Sequence, residues 1–134
     1  MDEVHVVTCF LEFEGKILVL KRSGQVGTYQ QKWAGISGYL EEGNKPLQQA
    51  VLEINEETGL SQNDYYLKNE GEPLTIHDIN LQRTWVVHPF RFLLRNNNEI
   101  KLDWEHSEYC WVEPQKIAYL DTVPVLYEAW SRVK

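Results

Sequence analysis

The first forty residues alternate between apolar runs and polar, glycine-containing connections. Residues 4–13 and 16–22 are rich in β-branched and aromatic side chains and flank a Glu-Gly pair, a pattern that predicts a β-hairpin. The polar stretch 23–32 predicts a loop. Residues 33–40 are expected to be extended or irregular, because two glycines there permit unusual backbone angles.

The next segment carries the start and stop signals of an amphipathic helix. Asn44 is predicted to cap its N-terminus, Pro46 suits the first turn, and Gly59 suits the position after the last turn. Apolar residues at i, i+3, i+4 and i+7 predict its buried face: Leu47, Ala50, Val51 and Ile54. The glutamates near the end of this helix are expected to point away from that face.

Shorter apolar runs fill the second half of the chain. Extended segments are predicted at residues 65–68, 74–77, 84–94, 100–104 and 109–112. Pro114 is expected to begin a short helix or turn, and a final helix is predicted over residues 123–133, with Pro124 in its first turn. The order of strands, helix, strands and helix favours an α+β fold, an α/β/α sandwich with a mixed central β-sheet between helices.

Composition limits the classes of function. The 134 residues, 43% of them hydrophobic, suffice for one real core, and we expect a single domain over residues 1–134. A net charge of −7 argues against broad binding to a nucleic-acid polymer. Cys9 and Cys110 lack metal-ligand spacing and are expected to be reduced core thiols. We expect neither a signal peptide nor a membrane span, so the protein is predicted to be cytoplasmic.

Three glutamates crowd the end of the predicted helix. Glu53, Glu56 and Glu57 lie three or four residues apart, so their like charges repel and oppose the helix. A solvated surface is the ordinary explanation of such a cluster. However, Gly35 and Gly38 would let a backbone carbonyl approach the helix, and oxygen ligands suit a hard divalent cation such as Mg²⁺. The cluster therefore predicts a metal site.

The segment from residue 38 to residue 60 resembles the Nudix box, G-x5-E-x7-R-E-U-x-E-E-x-G-U, in which U is a bulky aliphatic residue. Seven of the nine specified positions agree, with correct spacing and no gap: Gly38, Glu53, Ile54, Glu56, Glu57, Gly59 and Leu60. The resemblance implies the Nudix fold and a metal-dependent hydrolase that cleaves a phosphoanhydride bond in a nucleoside diphosphate linked to another group. A nucleoside triphosphate, a dinucleoside polyphosphate or a nucleotide sugar fits that description.

The resemblance also implies roles within the box. Glu53, Glu56 and Glu57 are similar to the family's ligands for Mg²⁺ or Mn²⁺, and one of them can also serve as the catalytic base. The backbone carbonyl of Ser37, just before the box glycine, is expected to join the metal ligands. Cations bound there would neutralise pyrophosphate oxygens and activate water.

Two positions depart from the box. Asn44 stands where a glutamate is expected, and Leu52 replaces an arginine that in the family helps to fix the geometry of the carboxylates. A misplacement of about 1 Å can cost about a hundredfold in rate. We therefore expect either reduced turnover or a different support for Glu53. The alternative function is a Nudix-fold nucleotide-binding module with weak or no turnover.

A second stretch, residues 104–111, resembles the Glu-His-x-x-aromatic-x-Trp sequence of several Nudix hydrolases. Glu105 takes the place of a loop glutamate that serves there as an extra metal ligand or a general base. The alternative for Glu105 is a solvated acidic loop. His106 is expected to make a structural hydrogen bond.

Candidate substrate contacts lie elsewhere in the chain. They are two arginines that suit phosphate and three aromatic residues that could stack on a base: Arg22, Arg83, Tyr29, Tyr39 and Trp85. An ordinary surface charge or core packing is the competing explanation for each. The expected partner is a nucleotide-derived small molecule, with no nucleic-acid polymer and no membrane, and a homodimer is left open.

Overall fold

One mixed sheet of eight strands organises the residues that the computed structural model describes, 2–134. Met1, the first residue of the predicted domain 1–134, lies outside these described residues. The strands are, in chain order, β1 (Asp2–Phe13), β2 (Lys16–Arg22), β3 (Trp33–Ala34), β4 (Ile36–Tyr39), β5 (Tyr65–Glu70), β6 (Leu74–Asp78), β7 (Arg83–Leu94) and β8 (His106–Val112). The helices are α1 (Pro46–Thr58) and α2 (Leu126–Ser131), with 3₁₀ turns at Gln62–Asp64 and Pro114–Tyr119. No helix in this described part is long and apolar enough to cross a membrane.

Strand β1 lies at the centre of the sheet. It pairs antiparallel with β2 and β4, which confirms the predicted hairpin, and parallel with β7, with Asp2 opposite Arg83 at one end. Beyond these neighbours, β8 pairs with β2, and β5 and β6 both pair with β7. The parallel pairing makes the sheet mixed, as predicted, and it joins the N-terminal strand to the second half of the chain.

Each face of the sheet is covered by a helical layer. Ala50 and Ile54 of α1 pack on one face in a cluster with strand residues such as Phe92. On the other face, Ile117 of the second 3₁₀ turn and Trp130 of α2 contribute to a separate cluster. This arrangement confirms the predicted α/β/α sandwich.

The ends of α1 follow the predicted signals in part. Pro46 occupies the first helical position and restricts the preceding residue to extended backbone, so the N-cap is Lys45, with φ −79° and ψ 152°. The predicted cap at Asn44 is wrong, because its side chain bonds Gln49 instead. The C-terminal prediction is confirmed, since Gly59 adopts the left-handed φ of 74° and ends the helix.

The buried face of α1 differs from the predicted apolar stripe. Ala50 and Ile54 are fully buried, but Leu47 is 38% exposed. Two polar side chains, Gln49 and Glu57, belong to the buried face instead, each only 1% exposed. The prediction that every glutamate points away from this face is therefore wrong, because the fold encloses Glu57.

Two further segments differ from the predicted elements. Residues 100–104, all within the described part, form no strand, because the backbone N–H of Lys101 bonds Thr58 at the end of α1 instead of a neighbouring strand. The final helix is shorter than the predicted 123–133, since Val125 adopts φ 58° immediately before it. Pro124 consequently precedes the helix and does not lie in its first turn.

Gly59→Ala should destabilise the protein, because an L side chain is disfavoured at φ 74° and a Cβ there would lie 3.1 Å from Cβ of Lys101. We expect a loss of about 1–2 kcal/mol in the free energy of unfolding, measured by urea denaturation. Gly27→Ala is the matched control, since that glycine does not have a positive φ and a Cβ there would meet no atom within 4 Å. Equal losses in the two variants would contradict the prediction.

Candidate functional site

A buried carboxylate lies at the centre of the candidate site. Glu57, in the last turn of α1, is 1% exposed, and neither of its carboxylate oxygens has a hydrogen-bond partner among the described residues. Burial raises the pKa of Glu57, and the charges of Glu53 and Glu105 raise it further. A buried charge without a partner is costly, so a cation would stabilise this group.

Glu53 lies one turn earlier, against a glycine of the sheet. A Cβ atom at Gly38 would overlap the Glu53 carboxylate, so only glycine leaves room for it there. Burial raises the pKa of Glu53 to about 7, and the charge of Glu56 adds to the rise. A side chain at position 38 would therefore displace the Glu53 carboxylate from its place beside β4.

The other predicted metal ligands differ in how far they enter the site. Glu105, in the turn before β8, is half-buried; burial raises its pKa, and the charge of Asp103 adds to the rise. Ser37 on β4 lines the same cleft as Glu53 and Glu105. Glu56 is exposed and stands outside the lining of that cleft, although its charge acts on the pKa of Glu53.

A histidine borders the buried glutamate without neutralising it. His106 is 6% exposed, and its Nδ1 atom lies 3.0 Å from Oδ1 of Asp103 in the expected structural hydrogen bond. Burial lowers the pKa of His106, although Asp103 opposes this effect. In the neutral ring that donates from Nδ1, the Nε2 atom carries a lone pair, and it lies 3.6 Å from Oε1 of Glu57. At this distance His106 makes no hydrogen bond to Glu57, so the carboxylate oxygens stay available to a cation.

Arg22 supplies positive charge beside the carboxylates. Its Nε atom donates to the carbonyl oxygen of Thr28 at 3.0 Å, which fixes the guanidinium against the loop after β2. The charge of Arg22 opposes the rise in the pKa of Glu105, so the two groups are close. Arg22 also lines the cleft, where a guanidinium suits phosphate oxygens.

A cleft of about 400 Å³ joins the carboxylates to an aromatic wall, formed by Tyr29, Tyr39 and Trp85. Glu53 and Glu105 line its acidic part. The rings of Tyr39 and Trp85 are stacked, with centroids 6.2 Å apart and an interplanar angle of 30°. The volume lies within the range of small-molecule sites.

Arg83 lies beside the aromatic wall but is not among the residues that line the cleft. Its guanidinium carbon is 5.3 Å from the centroid of the Trp85 ring, and its Nη1 atom donates to the hydroxyl of Tyr39 at 3.3 Å. The ring of Tyr29 lies 6.3 Å from that of Trp85. The fold therefore groups Arg83 with the aromatic residues and leaves Arg22 beside the carboxylates.

Sequence reasoning missed Gln49, Asp103 and Trp104. Gln49 is buried and donates from Nε2 to Oε1 of Glu53 at 3.4 Å. Asp103 orients His106, and Trp104, which is 64% exposed, lines the cleft. Gln49 could have been found from its position four residues before Glu53, because side chains with that spacing are neighbours on a helix. No sequence signal distinguishes Asp103 from an ordinary loop residue.

The acidic part of the cleft has the chemistry of a site for a hard divalent cation. Within residues 2–134, no three His, Cys, Asp or Glu side chains are gathered as a closed ligand set. However, the unpartnered oxygens of Glu57, with the carboxylates of Glu53 and Glu105 near them, are the donors that Mg²⁺ and Mn²⁺ prefer. Mg²⁺ usually keeps several waters, so an open set of carboxylates fits it.

Comparison with protein families and curated proteins gives matches over nearly the whole chain. A family model described as NUDIX domain matches residues 1–131. The nucleoside triphosphatase NudI of Escherichia coli O139:H28 is 24% identical over 130 residues, which cover 90% of this chain and 89% of that protein. The match therefore extends well beyond the residues of the box.

Solved structures share the fold. The MutT protein from Methanosarcina mazei Go1 has a TM-score of 0.82 at 22% identity, covering 98% of this chain and 92% of that chain. A C. elegans Ap4A hydrolase, solved as a binary complex, has a TM-score of 0.76 at 16% identity. The match covers 98% of this chain and 94% of that chain. At these identities the likeness concerns the fold.

Metal-free protein should lose stability as the pH rises, because the buried carboxyl of Glu57 and the half-buried carboxyl of Glu53 must ionise. The folded-state pKa values of Glu53 and Glu57 lie above the ordinary value of 4.5, so the neutral carboxyls stabilise the fold fully below that pH. This contribution is lost as the pH rises through about 7, the folded-state pKa of Glu53. Below pH 6.5 the lowered pKa values of His106 and His88 act in the opposite direction, so in EDTA we expect Tm to fall between about pH 6.5 and pH 8, measured by calorimetry.

Glu57→Gln should weaken the dependence of Tm on pH, because a neutral amide replaces the buried carboxyl. At pH 8 in EDTA its Tm should be about 4 °C higher than that of the unmodified protein, the shift that ~1 kcal/mol makes in a domain of this size. Glu70→Gln, which changes an exposed carboxylate on β5, is the control. A Tm independent of pH in the unmodified protein would contradict the prediction.

Proposed function

The chain belongs to the Nudix hydrolase family, and from this premise we propose that it is a pyrophosphohydrolase that cleaves a nucleotide phosphoanhydride with Mg²⁺ or Mn²⁺. The substrate is a nucleoside triphosphate or a dinucleoside polyphosphate, with a nucleotide sugar as a further candidate. The names of two similar proteins, the nucleoside triphosphatase NudI and Ap4A hydrolase, agree with the first two classes.

One observation carries the proposal: a single cleft is lined both by carboxylates and by stacked aromatic rings. Glu53 and Glu105 line the part that suits a cation and phosphates, while Tyr39 and Trp85 line the part that suits a base. A nucleotide has both kinds of group. The cleft thus matches the two chemically different ends of such a substrate.

The carboxylates and one carbonyl are the proposed metal ligands: Glu53, Glu56, Glu57, Glu105 and Ser37. When bound, the cation offsets the negative charge of the phosphates and activates water. The proton of the attacking water passes to a carboxylate, and of the proposed metal ligands Glu53 and Glu105 are the glutamates that line the cleft where the substrate lies. Arg22 binds a phosphate oxygen through a guanidinium that Thr28 already holds in place.

The aromatic wall holds the nucleoside in this proposal. Tyr39 and Trp85 offer stacked faces to a base, and Tyr29 closes the same side of the cleft. Arg83 bonds the Tyr39 hydroxyl and lies over Trp85, so it supports both rings. Stacking accepts any base, because every base has a π-face, so the wall favours a broad range of nucleotides.

A nucleotide-binding module with weak or no turnover is the second candidate. It is motivated by Asn44 and Leu52, which replace the charged pair of the box. The buried Glu57 argues against it, since a binding module without metal chemistry has no use for an unpartnered carboxylate.

Three broader features belong to the same proposal. Residues 1–134 form a single domain, and the protein works in the cytoplasm. Cys9 and Cys110 are both free, as is usual in a reducing compartment. A homodimer is left open.

A phosphate- and pyrophosphate-release screen over a nucleotide panel with Mg²⁺ and Mn²⁺ tests the proposal. We expect metal-dependent release from a nucleoside triphosphate or a dinucleoside polyphosphate, and Glu57→Gln should lower kcat by at least roughly 100-fold. Glu70→Gln, which changes an exposed carboxylate on β5, should keep its rate. If nucleotides bind but none releases phosphate, the binding module is correct and the proposed reaction is wrong.

Tyr39→Ala should weaken nucleotide binding, because it removes a 52% exposed ring of the aromatic wall. Stacking on one ring is worth ~1–3 kcal/mol, so we expect KM to rise about tenfold with little change in kcat. Tyr39→Phe keeps the ring and loses only the bond from Arg83, so its KM should stay close to the original value. An unchanged KM in Tyr39→Ala would show that the wall does not hold the base.

A further inference from the structure

We propose that Gln49 is a positioning residue for Glu53, in place of the arginine that the box motif uses and this chain lacks. The inference rests on the proposed function, because Glu53 needs a fixed orientation only if it binds a cation. A buried amide, not an ion pair, connects the loop before α1 to this carboxylate.

The side chain of Gln49 bridges two elements. Its Oε1 atom accepts from the backbone N–H of Glu41 at 3.1 Å and from Nδ2 of Asn44 at 2.8 Å. Its Nε2 atom donates to Oε1 of Glu53 at 3.4 Å. One amide group thus ties the loop to the carboxylate across a single turn of α1.

The direction of this amide follows from the hydrogen bonds themselves. A backbone N–H can only donate, so the Gln49 atom that faces Glu41 must be the amide oxygen. The amide nitrogen then faces Glu53, where its N–H stabilises the negative charge of the carboxylate. In the reverse orientation the amide nitrogen of Gln49 would face the N–H donor of Glu41, and its amide oxygen would face the carboxylate of Glu53.

Burial keeps Gln49 in this orientation. The residue is 1% exposed, so an amide atom that lost its partner would not find water instead. A buried polar group without a partner is costly, so the arrangement in which both ends of the amide are bonded is favoured. A rigid donor of this kind can fix the direction of a metal ligand.

The two departures from the box agree with this role. Leu52 is 42% exposed, so it has not replaced the missing arginine by packing into the core. Asn44 occupies the position of the missing glutamate and donates to Gln49. A neutral pair of amides, Asn44 and Gln49, has therefore taken over from a charged pair.

The affinity for Mn²⁺, measured by electron paramagnetic resonance, tests the inference without relying on turnover. Gln49→Met keeps the length of the side chain but removes both the donor and the acceptor. We expect Mn²⁺ to bind about tenfold more weakly, the lower end of the 10- to 100-fold range for groups that orient metal ligands. The kcat should fall while the KM for nucleotide changes little, because the aromatic wall is untouched.

Gln48→Ala is the matched control. The exposed Gln48 side chain accepts from the backbone N–H of Lys45 at the start of the same helix, so its loss perturbs α1 but not Glu53. Its Mn²⁺ affinity should equal that of the unmodified protein. Asn44→Ala, a milder change that leaves Gln49 in place, should weaken Mn²⁺ binding in the same direction by a smaller factor.

Unchanged Mn²⁺ affinity in both Gln49→Met and Asn44→Ala would overturn the positioning role while leaving the proposed function intact. Equal weakening in Gln48→Ala would also overturn it, because the effect would then come from the helix and not from the amide. If the unmodified protein binds no Mn²⁺, the metal site of the proposed function is itself wrong, so the two failures are distinguishable.

Discussion

The enclosure of Glu57 is the constraint on which the rest of the site depends. Its carboxylate is buried without a hydrogen-bond partner, and the imidazole nearest to it, His106, has a lowered pKa and already bonds Asp103. The group is therefore stable either as a neutral acid or beside a cation. The cost of this burial is offset by the apolar core in which Ala50 and Ile54 hold α1 against the sheet.

Strand pairing decides which groups surround this carboxylate. The pairing of β1 with β4 holds Gly38 against α1, where the missing side chain leaves room for Glu53. The pairing of β2 with β8 sets Arg22 opposite His106, so positive charge comes to lie beside Glu105. The sheet thus supplies both the space and the charge that the helix alone lacks.

Much of the fold could be predicted because local signals decide it. The hairpin, the first turn of α1 at Pro46 and its end at Gly59 depend on backbone preferences of a few adjacent residues. Predictions failed where a distant partner competes with a local preference. Asn44 is a good cap in isolation but bonds Gln49, and residues 100–104 are held by the end of α1 and not by a strand.

The sequence by itself determined the spacing of the glutamates, the glycine before them and the order of the elements, because the period of a helix and the chemistry of turns act over a few residues. Only the tertiary structure decided that Glu57 is enclosed, that Gln49 reaches Glu53, and that the aromatic wall shares a cleft with the carboxylates. These outcomes depend on pairings such as β1 with β7, which join residues some eighty positions apart, and no local pattern encodes a contact at that separation.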